Sequence, residues 1–170
     1  MTPLPAILGG AGLVAWRLDQ EVHSATWDSG IGSAAGGGRW NSIGHRAVYC
    51  SLDPATTIVE SAVHKGFPTL DRVPHTLTSM EVLDATAVHV VQPTAVPNPN
   101  WLHPGIVSPE QQVFGDNLLA AHTFVVIPSV VSQHSWNLIF DPAIAAGAYR
   151  MLSQERFALD TRLHPASPRR

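Results

Sequence analysis

Cysteine is nearly absent from this chain of 170 residues: the single Cys50 excludes an internal disulfide framework and fits a reducing compartment. It reads as a small apolar residue on a buried strand, with no neighbouring base to activate a thiolate. Charge is scarce too. Asp, Glu, Lys and Arg make up 14% of the residues, against about 25% in an average protein. The net charge is −3, and no run of like charge occurs. A surface that binds nucleic acid by neutralising phosphates needs clustered cations, so no direct nucleic-acid contact is expected. A small anionic ligand needs only one or two. No apolar run approaches the roughly 20 residues of a membrane span. The apolar start MTPLPAILGGAGLVAW lacks the positive region of a signal peptide, so a cytoplasmic protein off the membrane is expected. The nine histidines show no H-x-H, H-x-x-x-H or H-E-x-x-H spacing, and no metal site is expected. No G-x-S-x-G elbow occurs, which leaves a Ser-His-Asp hydrolase without its turn.

Glycine and proline, by contrast, are plentiful, at 13 and 14 residues, so the chain is loop-rich and no helical bundle. At 170 residues it fits one domain: residues 1–12 loosely ordered, 13–160 folded and 161–170 a frayed tail. Leu13 to Leu18 reads as a strand with Arg17 near its end. Residues 24–38 read as a mobile glycine-rich loop. Gly30 to Ala35 matches G-x-G-x-x-A, but no hydrophobic strand precedes it and GGGRW rather than a helix follows, so it is rejected as a dinucleotide turn. Arg46 to Ser51 reads as a strand with Ala47, Tyr49 and Ser51 on one face. Asp53 and Pro54 form a helix start, and Gly66 stops that helix after Lys65. Its period predicts a buried stripe of Ala55, Ile58, Val59, Ala62 and Val63, with Thr56, Glu60 and His64 in a row beside it.

Strands are expected over 75–83 and 87–91, followed by a proline-rich irregular stretch over 92–107 with Trp101 as its anchor. Ser108-Pro109-Glu110-Gln111 is a capping-box start for a helix reaching Ala121. Thr123 to Ile127 reads as a central strand and Asn137 to Phe140 as another. A short helix over 142–153 and a last strand over 157–159 complete the reading. There are no internal repeats. Short strands interleaved with two clear helices predict an α+β fold around a curved, mostly antiparallel sheet.

The residues left to carry chemistry are Arg17, Arg39, Tyr49, Glu60, Ser129 and Asn137. Around them, Arg17 on the first strand, GGGRWNS at 36–42, VYCS at 48–51, Glu60 seven residues after Asp53, IPS at 127–129 and WNLIFDP at 136–142 resemble the RES domain in order and spacing. The resemblance spans about residues 13–160. It implies a fold similar to ADP-ribosyltransferase toxins, and a toxin of a RES–Xre toxin–antitoxin pair that consumes NAD as a substrate, with no resident cofactor. Cleavage of the nicotinamide–ribose bond, by water or inorganic phosphate, is the reaction favoured. Transfer of ADP-ribose to a protein is the alternative, and a non-catalytic nucleotide-binding or interaction domain is the alternative of another class. A ribonuclease is disfavoured by the net charge of −3.

The resemblance maps the family's arginines to Arg17 and Arg39, its tyrosine to Tyr49, its glutamate to Glu60, and its later serine and asparagine to Ser129 and Asn137. The glycine-rich insert at 30–38 departs from the family pattern. The chemistry suits these types: guanidinium forks bind a pyrophosphate bidentately, a carboxylate stabilises the positive charge that builds on the ribose, and a tyrosine ring offers the nicotinamide a stacking face. Ser129 and Asn137 would supply neutral hydrogen bonds to the ribose or phosphate of the substrate. The implied partner is an Xre-family antitoxin in a heteromeric complex, excluding NAD by occupying the cleft behind the 24–38 loop.

Overall fold

The computed structural model describes residues 12–101, 107–132, 134–160 and 162. The loosely ordered segment and frayed tail expected at the termini lie outside these residues, apart from Gly12 and Arg162. In chain order the elements are β1 (Leu13–Gln20), a 3-10 segment (Glu21–Thr26), α1 (Ile31–Gly36), β2 (Val48–Ser51), α2 (Pro54–Lys65), α3 (Phe67–Arg72), β3 (His75–Val82), β4 (Val88–Val90), α4 (Pro109–Ala121), β5 (Phe124–Pro128), β6 (Trp136–Phe140) and β7 (Tyr149–Phe157). The strands form one open sheet in the order β4-β5-β6-β2-β1-β3-β7. The β4–β5 pair is parallel and every other neighbouring pair antiparallel, as the α+β reading expects.

One junction in this sheet is incomplete. All eight residues of β1 pair with β3, from Leu13↔Val82 to Gln20↔His75, but β1 meets β2 only at Trp16↔Ser51. Beyond that point the strands part, and side chains take over from the ladder. Thr57 Oγ1 on α2 donates to the Trp16 carbonyl at 2.8 Å, and Ser61 Oγ donates to the Leu18 carbonyl at 3.5 Å. From β1, Arg17 Nη1 reaches across to the Tyr49 carbonyl at 2.8 Å. Backbone groups left without a ladder partner inside a protein must be satisfied somehow, and here hydroxyls and a guanidinium do it.

These bonds set the roll of α2 and correct its expected buried stripe. Asp53 caps the helix by accepting from Thr56 N at 2.8 Å, and Gly66 ends it with φ +79°, both as the sequence predicts. The buried residues, however, are Thr56, Thr57 and Ala62, while Val59 and Val63 are 38% and 63% exposed. Periodicity alone aims the valines at the core. The hydroxyl bonds of Thr57 and Ser61 to β1 turn that polar side inward instead, Thr56 Oγ1 bonds back to the capping Asp53 at 2.6 Å, and Glu60 comes to rest half-buried against the sheet.

Two further expectations are corrected. The 24–38 stretch is not irregular: Gly30, at φ +63°, leads into α1, and Ser33 Oγ bonds both the carbonyl (2.6 Å) and the N–H (2.9 Å) of Ala47. No strand leads directly into this helix, because a 3-10 segment separates it from β1, so the rejection of a dinucleotide turn stands on that half of its reasoning. At the other end, turns fill 142–147 and β7 occupies 149–157, in place of a helix and a later strand. Met151, Leu152, Gln154 and Glu155 favour helix locally, yet eight register pairs with β3 override that preference. Leu152 is the extra residue of a bulge, which together with Arg150, Glu155 and Arg156 blunts this exposed edge against further pairing.

The core has three parts. One face of the sheet buries Val48, Cys50, Met80, Phe124, Leu138 and Phe140. The opposite face packs Val125, Ile127 and Ile139 under α4, with Trp40 and Trp101 at 5.8 Å between ring centroids, so Trp101 is the anchor expected of it. Leu18, Leu77, Ala62 and Leu70 join β1 and β3 to α2 and α3. Helix α4 begins at Ser108, whose Oγ accepts from Gln111 N at 3.2 Å. It approaches the chain at Trp40 so closely that a β-carbon on Gly115 would lie 2.0 Å from the Trp40 carbonyl oxygen. Gly115→Ala is therefore expected to destabilise the fold by about 1–3 kcal/mol or more in urea denaturation. Gly32→Ala, where an added β-carbon meets nothing within 4 Å, is expected to be neutral or stabilising by up to about 1 kcal/mol.

Candidate active site

Glu60 is the centre of a hydrogen-bonded group contributed by three elements and a turn. Its Oε1 accepts from Asn137 Nδ2 on β6 at 2.6 Å and from Ser129 Oγ, just past β5, at 2.8 Å. Ser129 is fully buried and its Oγ accepts from Ser132 N at 3.0 Å. Asn137 Oδ1 in turn accepts from Ser51 Oγ on β2 at 2.8 Å. The ladder explains the meeting, since Ser51↔Asn137 and Ile127↔Asn137 are register pairs. Both bonds to the carboxylate fall on Oε1, and among the described residues Oε2 accepts none. The side chain is thus oriented by one oxygen while the other stays open.

Arg39 sits in a loop gripped from both sides. Gln112 Nε2 on α4 donates to the Gly38 carbonyl at 2.8 Å, and Asp116 Oδ1 accepts from Ser42 N at 3.0 Å. On the sheet side, Tyr49 Oη donates to Asn41 Oδ1 at 2.6 Å and accepts from Trp40 N at 3.1 Å. Asn41, completely buried, spends its amide hydrogens on the carbonyls of Ser33, His45 and Ser42. Gly38 has to be glycine, because a β-carbon there would lie 2.5 Å from both Asn41 Oδ1 and Tyr49 Oη. Arg39 itself donates only to the Trp101 carbonyl, at 3.2 Å, and has no ion pair among the described residues. Burial lowers its pKa, and the charge of Glu60 works against that, so the guanidinium lies within the field of the carboxylate.

Arg17 is employed differently. Its Nε and Nη2 bond both oxygens of Asp19, at 2.5 and 3.0 Å, and its Nη1 holds the Tyr49 carbonyl. Beside it opens a cavity of about 290 Å³ lined by Arg17, Asp19, Trp27, Ser33, Ala47 and Tyr49 among others. Arg39, Glu60, Ser129 and Asn137 are not in that lining. The six residues named from sequence therefore form two groups. Glu60, Ser129 and Asn137 are bonded together with Arg39 nearby, whereas Arg17 is locked to Asp19 on its own strand and reaches across the parted strands only to the Tyr49 carbonyl. Tyr49 joins them, its carbonyl on Arg17 and its hydroxyl on the Arg39 loop. Burial raises the pKa of that hydroxyl well above the ordinary tyrosine value, so it stays protonated and donating.

Sequence reasoning placed Ser51 on the Tyr49 face without assigning it a part, and it missed Asp19, Asn41, Gln112 and Asp116. Alternation along β2 is the signal that could have picked out Ser51. Asp19 sits two residues from Arg17 on the same strand, an alternation signal of the same kind, whereas Asn41, Gln112 and Asp116 act through loop and helix contacts that have no local signature.

With this geometry in hand, comparison with known proteins is decisive on family. The chain matches the RES domain model over residues 14–160 and belongs to the RES domain family. It is similar to Toxin Res of Photorhabdus laumondii subsp. laumondii, with 23% identity over 155 residues covering 89% of this chain and 97% of that one. It is also similar to the Prs ADP-ribosylating toxin of a Sphingobium species, with 31% identity over 139 residues, or 75% and 81% of the two chains. In fold it resembles a chain of the crystal structure of the M. tuberculosis MbcT–MbcA toxin–antitoxin complex, with a TM-score of 0.68, 17% identity and coverage of 86% and 85%.

The clamp on the Arg39 loop can be tested by itself. Tyr49→Phe keeps the ring but removes the donor to buried Asn41 Oδ1 and the acceptor of Trp40 N. A loss of about 1–3 kcal/mol in stability is expected in urea denaturation, and unchanged stability would show that the clamp does not depend on this hydroxyl.

Proposed function

We propose that this chain is the toxin of a toxin–antitoxin pair and that it cleaves the nicotinamide–ribose bond of NAD. The observation that carries the reading is the oriented carboxylate: Glu60 held through Oε1 by Ser129 and Asn137, with Arg39 in its field and, among the described residues, no bond to Oε2 and no ion pair to Arg39. Breaking the bond between nicotinamide and ribose leaves positive charge on the sugar, and a fixed carboxylate stabilises that charge as in glycosidases. Nicotinamide departs neutral, so no second carboxylate is required to protonate it. A water that attacks gives free ADP-ribose and releases a proton; phosphate attacking in its place gives a phosphorylated ADP-ribose.

The arginines divide the work of binding the dinucleotide. Arg39 has most of its donors unspent and is the residue for an anionic group such as the pyrophosphate. Arg17 is neutralised by Asp19 and holds the Tyr49 backbone, so its part is to keep the cavity beside the parted strands in shape. Tyr49 contributes its position in that cavity rather than a reactive hydroxyl.

A second reading, transfer of ADP-ribose to a protein side chain, is favoured by the likeness to a Prs ADP-ribosylating toxin. Both reactions pass through the same bond cleavage and differ in the acceptor. The partner proposed is an antitoxin of the Xre class, in line with the fold likeness to a chain of a toxin–antitoxin complex. By filling the cleft it would exclude NAD.

Product analysis tests the reading. Purified protein incubated with NAD is expected to release nicotinamide, together with ADP-ribose in phosphate-free buffer or a phosphorylated ADP-ribose when phosphate is the acceptor. Label from the adenosine half appearing in protein would select the transferase. Intact NAD after prolonged incubation would contradict catalysis and favour a non-catalytic nucleotide-binding domain.

A further inference from the structure

We infer that Ser51 is a positioning residue for the proposed NAD cleavage, acting on Glu60 through the side-chain amide of Asn137. The inference rests on the reading of Glu60 above and adds a residue that never touches substrate.

The logic is one of donors and acceptors. An ionised carboxylate only accepts, so Asn137 must turn its NH₂ toward Glu60 Oε1, at 2.6 Å. That orientation points Asn137 Oδ1 the other way, where it needs a donor. Ser51 Oγ stands 2.8 Å from it and has one proton to give. Were Ser51 unable to donate, nothing else among the described residues would hold Oδ1, and the amide would be fixed at its nitrogen end alone. An amide free to swing about that one bond would hold Glu60 less firmly at one of its two anchors.

The place of Ser51 in the sheet makes it suitable. It is 3% exposed, so water does not compete for its hydroxyl. Its backbone is fixed twice over, opposite Trp16 in the one β1–β2 register pair and opposite Asn137 in the β2–β6 ladder. The residue that ends the contact between β1 and β2 is also the one that sets the amide. Ser129, the other anchor, is oriented independently by Ser132 N, so losing Ser51 should loosen Glu60 without freeing it.

Steady-state kinetics with NAD tests this. Ser51→Ala is expected to lower kcat roughly 10- to 100-fold with little change in KM, as misplacement of a catalytic group does. Ser51→Cys fills the same space with a weak donor and is expected to fold and to lose kcat likewise, while Ser51→Thr, which keeps the hydroxyl, recovers most of it. In a Glu60→Gln background Ser51→Ala should cost nothing further, since its effect travels through Glu60. A folded Ser51→Ala or Ser51→Cys protein with the kcat of the unmutated protein would overturn the inference, as would an undiminished Ser51→Ala effect in the Glu60→Gln background. Unmutated protein that leaves NAD intact would instead bring down the reading of the site, and the positioning role with it.

Discussion

The parting of β1 from β2 after the Trp16↔Ser51 pair is the constraint on which the site depends. Two adjacent strands that stop pairing inside a sheet leave carbonyls that cannot go unsatisfied. The chain answers with Thr57 and Ser61 from α2 and with Arg17 from β1. Because the hydroxyls lie on the same helix as Glu60, satisfying the β1 carbonyls also fixes the roll of α2. That roll delivers the carboxylate to Ser129 and Asn137. The valines exposed on the outer side of α2 are the counterpart of the same choice, apolar area left in water so that a polar face can be docked.

A second grip holds the cation. The Gly38–Ser42 stretch is pressed between Gln112, Gly115 and Asp116 of α4 and the Tyr49 hydroxyl of β2. Both approaches are so close that glycine is demanded at 38 and at 115. Arg39 emerges from a rigid loop with its guanidinium nearly uncommitted. Arg39 is half-buried, has no ion pair among the described residues and lies in the field of a carboxylate, whereas Arg17 has already been matched with Asp19.

Much of this was legible in the sequence where the signal is local. The caps at Asp53 and Ser108, the stop at Gly66, most of the strands and the α+β class follow from patterns a few residues long. Glu60 was readable as a non-core helix residue, and Ser51 as a neighbour of Tyr49 by alternation. What was not legible depends on contacts distant in sequence. The roll of α2 is decided by carbonyls some 40 residues earlier, at Trp16 and Leu18. α1 is held in its glycine-rich segment by Ser33 bonded to Ala47. β7 is a strand because β3 pairs with it, although its own residues lean toward helix. Residue type alone likewise made Arg17 and Arg39 equivalent, and only their partners separate them.

The central claim is that Glu60 acts on the reacting sugar and not on the binding of NAD or on the fold. The most direct test is to measure NAD affinity by calorimetry and turnover by nicotinamide release in the same Glu60→Gln preparation. The account predicts folded protein that still binds NAD, with turnover reduced on the order of 10²–10³, as when one electrostatic stabiliser of a transition state is removed. Folded Glu60→Gln protein releasing nicotinamide at the unmutated rate would contradict it.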